Sequence, residues 1–327
     1  MRFSRHLPAG LFAALLIVAV LAVPAMAQDE DAAEGEEAPP KDVQADKPRV
    51  SNLPINFKGM SGLILTTSTK ALAPGTVELG PAWRSEQSDD PDYTRTTWAG
   101  NAAVGIPGGL EFGLHVPYVE TDLYYTERVN EFGQKVRDFR KKNQSDLGSI
   151  EGMLKWAFAQ QELFLPSFAA GVGFIAPTGD YTQHISQVKS YGLRALLMMG
   201  IEINDLFFTD YAFAIMGDGG IVVQDLGVGN DREYEEKHGE VHFGMIFPLH
   251  PTNYVELITE YEGLLMRGTT NEEDENSFLG GLRLTTQHIN LTFGAMFTMV
   301  EARDMDDRLT YIANFSYKLG PPFPMFP

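Results

Sequence analysis

Apolar and polar side chains alternate residue by residue in twelve segments between residues 75 and 319. In one segment, Leu291, Phe293 and Phe297 occupy one parity while Thr292 and Thr298 occupy the other. A period of two is the period of a β-strand, and no segment keeps an apolar stripe at helical spacing. Each segment has about 9 to 14 residues, the length of a tilted membrane-spanning strand. The predicted strands are residues 75–86, 95–106, 109–122, 146–159, 165–176, 189–202, 207–217, 238–249, 252–264, 277–286, 289–300 and 307–319.

The connections between these segments alternate in length. Short ones such as Pro107-Gly108-Gly109 and Asn204-Asp205 are separated by long polar ones such as residues 123–144 and 218–237. Outer-membrane barrels have this rhythm, with short periplasmic turns and long outer loops. A soluble antiparallel sandwich gives the same alternation of side chains, but it does not require alternating loop lengths. The pattern therefore favours an all-β fold, a transmembrane antiparallel up-and-down β-barrel of about twelve strands.

The N-terminal residues predict export from the cytoplasm. Arg2 and Arg5 precede an apolar run and the small-residue cleavage pattern Ala25-Met26-Ala27, which together are typical of a signal peptide over residues 1–27. Residues 28–58 are acidic and rich in alanine and proline, which predicts a disordered periplasmic leader. Residues 59–74 lack strand parity and are expected to form a plug or an entry segment. The barrel then occupies residues 75–319, followed by a proline-rich tail over 320–327.

Charge and cysteine content exclude several classes of protein. The formal net charge of −19 argues against nucleic-acid binding, which needs lysine and arginine to neutralise phosphate. With no cysteine, the chain has neither disulfides nor thiolate metal ligands. The expected partners are outer-membrane lipid, periplasmic chaperones, the barrel-insertion machinery and a small-molecule solute. The expected location is the outer membrane of a Gram-negative-type cell.

Strand parity separates residues that face lipid from residues that face the lumen. Charged side chains on the lipid face are costly, since a cation at the membrane midplane costs roughly 2–4 kcal/mol. Charges within the strands are therefore expected to line the lumen, either as a paired plug or as a selective pathway. The predicted lumen residues are Glu78, Arg84, Glu111, His115, Glu151, Lys155, Arg194, Glu202, Glu240, His242, Glu256, Glu260, Arg283 and Lys318.

Aromatic residues near the strand ends are expected to form the two interfacial girdles, where tryptophan and tyrosine are favoured. The predicted girdle residues are Trp83, Trp98, Trp156, Phe158 and Tyr317.

Motifs for enzymatic chemistry are weak in this sequence. Residues 171–176 match the dinucleotide pattern G-x-G-x-x-A, but they lie inside a predicted strand and Pro177 follows. His238 and His242 lie four apart on a strand, too far from each other to share a metal ion without other ligands. Ser61 lacks the nucleophile-elbow spacing. The sequence thus predicts no catalytic, cofactor or metal site, and the acidic stretches 218–236 and 271–276 are expected to be solvated loops rather than calcium sites.

Three stretches resemble a known family. They are GLILTTSTKALAPGTVELG at 62–80, SDLGSIEGMLKW at 145–156 and SFAAGVGFIAPTGD at 167–180. Their order is similar to that in the outer-membrane barrel family named for the MetA pathway of phenol degradation. The resemblance implies a channel-like transporter, which in some members of the family is placed beside pathways for aromatic or other apolar compounds. The C-terminus departs from the pattern, because GPPFPMFP follows the last predicted strand instead of a terminal aromatic residue.

The leading hypothesis is a non-enzymatic outer-membrane channel that passively admits a small aromatic or apolar compound through a partly charged lumen. One alternative is a closed structural or adhesive outer-membrane barrel. A second alternative is a barrel that hydrolyses lipid.

Overall fold

A computed structural model describes residues 53–89, 92–129, 135–161, 165–179, 191–204, 212–224, 237–249, 255–267, 275–286, 288–300 and 308–320. These ranges contain thirteen β-strands, and no helix in them is long and apolar enough to cross a membrane. The strands are β1 (Val77–Asp89), β2 (Asp92–Ile106), β3 (Leu110–Val129), β4 (Lys135–Leu147), β5 (Ile150–Ala159), β6 (Ser167–Ala176), β7 (Gly192–Asn204), β8 (Ala212–Gln224), β9 (Lys237–Pro248), β10 (Val255–Arg267), β11 (Glu275–Thr285), β12 (Ile289–Val300) and β13 (Arg308–Leu319).

Twelve of these strands form a closed antiparallel ring. Each of the twelve pairs with the next along the chain, and the ring skips β4 because residues Leu110 to His115 of β3 pair with β5. The ring is closed by the pairing of β1 with β13. Closure leaves no ladder edge facing lipid, where unpaired backbone groups would be costly. The predicted transmembrane up-and-down barrel is therefore confirmed.

The thirteenth strand corrects one predicted loop. The charged run expected as a long outer loop over residues 123–144 instead continues β3 and forms β4, which pairs with β3 from Tyr118↔Leu147 to Val129↔Lys135. A hairpin that extends beyond the lipid has no need of an apolar face, so the sequence there lacks the alternation that marks the other strands. The connection expected between the predicted strands 75–86 and 95–106 is likewise mostly strand, since β1 ends at Asp89 and β2 begins at Asp92.

The boundary of β8 also differs from its prediction. The segment expected over residues 207–217 lies at Ala212–Gln224. The sequence loses its apolar parity at Gly217, Asp218, Gly219 and Gly220, which predicts an earlier end for the strand. In the structure these residues keep strand pairing with β7 and β9.

The two faces of the barrel wall differ sharply in exposure. On β5, Leu154 and Trp156 are 42% and 53% exposed on the outer surface, whereas Met153 and Lys155 are 2% and 0% exposed. A Cβ placed on Gly152 would lie 3.7 Å from the ring of Phe112, an ordinary packing distance, so this outer position lies beside a neighbouring aromatic side chain. Alternation along the strand thus produces an apolar outside and a buried inside.

Residues 53–74, here called the inner segment, lie within the barrel. Leu63, Ile64 and Leu65 are 1–2% exposed and form the centre of an apolar cluster with wall residues. The wall members of this cluster are Ala82, Ala99, Ala214, Met216, Ile246, Ile258, Leu279, Met296 and Ile312. The leader predicted over residues 28–58 therefore extended too far, because Leu53, Ile55 and Phe57 are buried with the inner segment.

Glycines on the wall provide space for the inner segment. A Cβ at Gly113 would collide with the backbone oxygen of Gly59 and with the sulfur of Met60. The chain leaves the lumen near the short turn between β2 and β3, where the backbone N–H of Gly75 donates to the oxygen of Gly105 at 2.9 Å. In that turn, Gly108 and Gly109 have φ values of 86° and 76°, a region that favours glycine. This end of the barrel is called the short-turn end below.

Candidate functional site

The lumen binds the inner segment chiefly through its backbone. Glu260 on β10 provides the most extensive contact: its carboxylate accepts hydrogen bonds from the backbone N–H groups of Ile64, Leu65 and Thr66 at 2.7, 3.0 and 2.7 Å. The hydroxyl of Thr66 donates to the same carboxylate at 2.7 Å. Glu260 is 5% exposed. A buried carboxylate is costly unless it is hydrogen-bonded, so Glu260 and this turn of the inner segment stabilise each other.

A second carboxylate, Glu111 on β3, binds both ends of a loop in the inner segment. It accepts from the backbone N–H of Ser61 at 2.7 Å, from the Ser61 hydroxyl at 2.8 Å and from the N–H of Leu72 at 2.8 Å. Lys155 on β5 lies 3.2 Å from Glu111 and donates to the Ser61 hydroxyl and the Lys70 carbonyl, both at 2.6 Å. Glu111 and Lys155 are both fully buried. Their charges are compensated by each other and by the inner segment.

The Ser61–Lys155 contact has the partners of a nucleophile and a base, since some hydrolases pair serine with lysine. Here the lysine amine also faces Glu111 and the Lys70 carbonyl, which hold it as a cationic donor. Ser61 is 2% exposed, so its hydroxyl is not presented to lipid or to solution. The arrangement fits a structural contact between wall and inner segment.

Two more carboxylates repeat the pattern at other points of the wall. Glu78 on β1 accepts from the backbone N–H of Ile55 at 3.2 Å, and it also contacts Ser316 and Asn290. Asp218 on β8 accepts from the N–H of Thr67 at 2.5 Å. Four carboxylates on four strands therefore bind main-chain donors of one segment.

Cationic and amide side chains bind the carbonyl groups of the same segment. Arg283 on β11 donates to the Gly62 carbonyl at 3.0 Å, and Asn314 on β13 donates to the Ile55 carbonyl at 2.6 Å. Asn101 on β2 donates to the carbonyls of Asn56 and Phe57 at 3.2 and 3.3 Å. Together with the carboxylates, these groups satisfy buried backbone atoms that would otherwise lack partners.

A charged cluster on β5 and on the four strands β7 to β10 lies beside the inner segment. His242 places Nδ1 2.6 Å from Asp218 and Nε2 3.1 Å from Glu262. Lys58 of the inner segment lies 3.1 Å from His242 Nε2 and 3.5 Å from Glu240. Arg194 bridges Glu240, at 2.9 Å, and Glu151, at 2.5 Å. The charges of these strands and of Lys58 are thus paired with one another inside the barrel.

A second cluster lies toward the opposite end of the lumen from the short turns. Glu86 on β1 accepts a hydrogen bond from Tyr93 at 2.5 Å and pairs with Arg84 at 3.1 Å and Arg308 at 3.2 Å. Arg308 also pairs with Glu275. This region borders a cavity of about 30 Å³ whose floor is Phe57 of the inner segment. The other lining residues are Arg84, Glu86, Arg95, Thr97, His115, Pro117, Val119, Ser149, Glu151 and Ile175.

The structure places the predicted lumen residues as follows. Ten are buried, and they are Glu78, Glu111, Glu151, Lys155, Arg194, Glu240, His242, Glu256, Glu260 and Arg283. Four are half-buried, and they are Arg84, His115, Glu202 and Lys318. Most of the buried set contacts the inner segment or another member of the set, so in this state these side chains do not border an open pathway.

The predicted girdle residues lie on the outer surface or at its ends. Trp98, Trp156 and Phe158 are 40%, 53% and 47% exposed. Trp83 and Tyr317 are half-buried. Trp83 packs on Trp98 with ring centroids 6.3 Å apart, and Trp156 packs on Phe158 at 5.5 Å.

Sequence reasoning missed several residues that hold the inner segment. Asp218 was assigned to an acidic loop, whereas it lies within β8 and is 4% exposed. Asn101 and Asn314 are uncharged, and the predicted lumen residues do not include them. Each has the polar parity of its strand, so a search for buried amides on that parity would have found them.

Metal and cofactor candidates gain no support in the described ranges. No group of three or more histidine, cysteine, aspartate or glutamate residues there is arranged to hold a metal ion. Most of the two acidic stretches considered for calcium, and the side chain of His238, lie outside the described residues. The glycines of the 171–176 motif lie within β6, where Gly171 and Gly173 face the lumen side chains Met198 and Glu151.

Comparison with known proteins identifies the fold. No family model matches the chain, and no curated protein matches it in sequence. An outer membrane channel from Pseudomonas putida F1 superposes with a TM-score of 0.50 at 12% identity, covering 77% of this chain and 98% of that one. The fold is that of an outer-membrane β-barrel.

Other barrels match less well. The transport unit of the autotransporter AIDA-I from Escherichia coli gives a TM-score of 0.42 at 9% identity, over 74% of this chain and 89% of that one. The NanC porin gives 0.43 at 8% identity, over 73% and 100%. Membership of the MetA-type family stays a prediction.

Proposed function

We propose that the protein is an outer-membrane channel for a small solute, and that the inner segment closes its lumen in the state described. The channel fold and the similarity to an outer membrane channel over nearly all of that protein support a transport role. Passage is passive in this proposal, and it involves no cofactor.

The observation that carries the proposal is the match between lumen side chains and one stretch of backbone. Glu78, Glu111, Asp218 and Glu260 accept its N–H groups, while Arg283 donates to a carbonyl. A barrel whose interior served only for stability could be filled by wall side chains alone, as small barrels are. Here the wall builds a binding site for a separate segment, which can open a pathway by leaving it.

The solute is proposed to be small and aromatic or apolar. Withdrawal of the inner segment would uncover Met153, Met198, Ile258 and Met296, which are all at most 2% exposed and now pack against that segment or its neighbours. Thioethers are polarisable and make favourable contacts with aromatic rings. The family resemblance points to the same class of compound.

The location and route are part of the proposal. Export through the secretory pathway, escort by periplasmic chaperones and insertion by the barrel-insertion machinery would place the short-turn end in the periplasm. The inner segment, which leaves the lumen at that end, would then be reached from the periplasmic side.

Single-channel conductance in a planar bilayer tests the proposal. The full chain is expected to conduct rarely or in brief openings, and a variant lacking residues 28–74 is expected to conduct steadily. Absence of current from both, with heat-modifiable migration showing that both are folded, would reject a channel.

A closed structural barrel is the second candidate, and the occluded lumen is the observation that favours it. The same recording separates the two, because absence of current from the folded full chain and from the folded variant lacking residues 28–74 favours the closed barrel. A phospholipase assay on the pure protein addresses the lipid-hydrolase alternative.

A further inference from the structure

Glu260 differs from the other buried carboxylates in the source of its partners. Every other buried carboxylate in the described ranges lies within 3.8 Å of a lysine, arginine or histidine nitrogen. Glu260 has no such ion pair there. Its hydrogen bonds come from the backbone N–H groups of Ile64, Leu65 and Thr66 and from the Thr66 hydroxyl. Withdrawal of the inner segment would therefore remove all of these donors at once.

The basic groups nearest to Glu260 on the adjoining strands are held by other carboxylates. Arg283 on β11 attracts Glu260 at longer range, but its ion pair is with Glu256 at 3.5 Å. His242 on β9 lies between two other carboxylates, at 2.6 and 3.1 Å. A carboxylate that leaves water needs hydrogen bonds or a counter-charge. Without the inner segment, Glu260 is thus a negative charge with no ion-pair partner of its own.

Two recesses in the wall flank this carboxylate, and side chains of the inner segment fill them. Gly244 lies directly opposite Glu260 in the β9–β10 ladder, and a Cβ there would collide with the Leu63 side chain. Gly281 lies on β11, the strand on the other side, and a Cβ there would lie 2.7 Å from Ile64 Cδ1. Glycine at these two positions therefore gives the wall room for a branched aliphatic group on each side of the carboxylate.

The turn at residues 63–66 shows which chemistry the site recognises. It presents N–H donors to the carboxylate and branched aliphatic groups to the recesses. A primary ammonium ion carries three N–H donors on one atom and adds the positive charge that a backbone turn lacks. Hydrogen bonds between two ionised groups are shorter and stronger than those between neutral groups. An ammonium ion with a branched aliphatic group therefore fits the vacated site better than a neutral or anionic compound of the same shape.

We infer that Glu260, with the recesses at Gly244 and Gly281, is a binding site for a small primary ammonium ion that carries a branched aliphatic group. The inner segment occupies this site in the closed state, and the ammonium ion competes with the turn at residues 63–66. This inference deepens the proposed function, on which it rests, by assigning a cationic head group to the solute.

Competition is measured on the full chain in detergent, with 3-methylbutylammonium chloride as the probe. A single cysteine, Leu65→Cys, reports opening of the turn, because Leu65 is 2% exposed and the chain has no cysteine of its own. The cysteine reacts with a negatively charged methanethiosulfonate reagent, which modifies thiols and not amines. Ammonium chloride keeps the ionic strength constant during the titration. The probe is expected to accelerate labelling saturably by about ten-fold, the factor that one charged hydrogen bond provides.

Two sets of controls separate recognition of the cation from a general effect of the aliphatic chain. The compounds 3-methylbutan-1-ol and 3-methylbutanoate carry the same branched chain without a positive charge, and they are expected to leave the labelling rate unchanged. Glu260→Gln is expected to remove the acceleration, whatever its basal rate, and Glu260→Asp is expected to retain part of it. Glu120→Gln, at an exposed position on β3, is the matched control and should respond like the parent.

The outcomes distinguish this inference from the proposed function. Equal acceleration by the alcohol, or an undiminished response in Glu260→Gln, would overturn the inference. Basal labelling that the probe leaves unchanged would overturn the inference alone, because the turn then opens without recognising the cation. Labelling that is absent with and without the probe would overturn both. Acceleration without current from the full chain in a bilayer bathed in the probe would reject the channel and leave the site. Heat-modifiable migration verifies that each variant is folded.

Discussion

The carboxylate of Glu260 lies 2.7 Å from the backbone nitrogen of Ile64, although 196 residues separate the two in sequence. The same carboxylate binds Leu65 and Thr66, so one side chain of the barrel wall holds a whole turn of the inner segment. Hydrogen bonds to a charged group contribute about 1.5–3 kcal/mol each. This contact is therefore a main attachment of the segment that closes the lumen.

Replacing Glu260 is expected to loosen the inner segment. The chain has no cysteine, so a single reporter, Ile64→Cys, can be added without background. Ile64 is 1% exposed, and the reporter is expected to resist a membrane-impermeant maleimide in the otherwise wild-type protein. In the Glu260→Ala background its labelling should be at least ten-fold faster. Glu120→Ala, at an exposed position on β3, is the control, and equal labelling in both backgrounds would contradict the attachment role.

A larger side chain at Gly113 is expected to displace the segment by steric conflict. A Cβ there would collide with the backbone oxygen of Gly59. The backbone of Gly59 is itself packed tightly against the wall, because a Cβ added at Gly59 would lie 2.6 Å from the backbone oxygen of Leu114. Gly113→Val should therefore raise the steady conductance of the full chain toward that of the variant lacking residues 28–74. Gly100→Val is the matched control, because no atom lies within 4 Å of a Cβ at Gly100. A silent Gly113→Val barrel that is folded would count against closure by this segment.

Removing the charge of Lys155 is expected to destabilise the protein strongly. Lys155 and Glu111 are both fully buried and 3.2 Å apart, and breaking such a pair from one side costs about 3–5 kcal/mol. Urea unfolding in lipid vesicles, followed by tryptophan fluorescence, should show this loss for Lys155→Met. The double variant Lys155→Met with Glu111→Gln should recover part of it. If the double variant were as unstable as the sum of both single variants, the pair would not be coupled.

Val172 is expected to report on the lipid face. It is 61% exposed near the middle of β6. An arginine at the membrane midplane costs roughly 2–4 kcal/mol, so Val172→Arg should lower the free energy of unfolding in vesicles by that order. Val172→Leu should leave it nearly unchanged. A similar stability for both variants would place this face of β6 away from hydrocarbon.

Neutralising Glu86 is expected to change ion selectivity. Glu86 pairs with both Arg84 and Arg308, and its neutralisation removes the negative charge that these two arginines share. In the variant lacking residues 28–74, Glu86→Gln should shift the reversal potential in a potassium chloride gradient toward chloride permeation, several-fold in permeability ratio. Glu120→Gln changes the net charge equally at an exposed site and should shift it little. An unchanged reversal potential in Glu86→Gln would place this cluster outside the ion pathway.

The barrel itself was predictable because lipid imposes a simple rule on each strand. Neighbouring residues such as Leu154 and Lys155 face lipid and lumen respectively, so apolar and polar residues alternate along the strand with a period of two. The rule fails where lipid is absent. β4 has no apolar face to reveal it, and β8 loses its parity at Gly217–Gly220, so both were missed or shortened.

The contacts of the inner segment were not predictable in the same way. Parity places Glu260 and Arg283 inward, but it says nothing about which atoms they meet. Their partners are backbone groups of Ile64 and Gly62, and every residue except proline carries both a backbone donor and an acceptor. Sequence therefore leaves no specific mark of the pairing, and only the arrangement in space identifies it.

The position of the inner segment in the chain also constrains the order of assembly. Its residues precede every strand, yet its binding groups come from β1 to β13, and the Asn314–Ile55 contact spans 259 positions. These groups surround a single space only after β13 has paired with β1. The part of the folded region that is synthesised first is thus expected to be fixed in place last, so that burial of the inner segment would mark the completion of the barrel rather than its beginning.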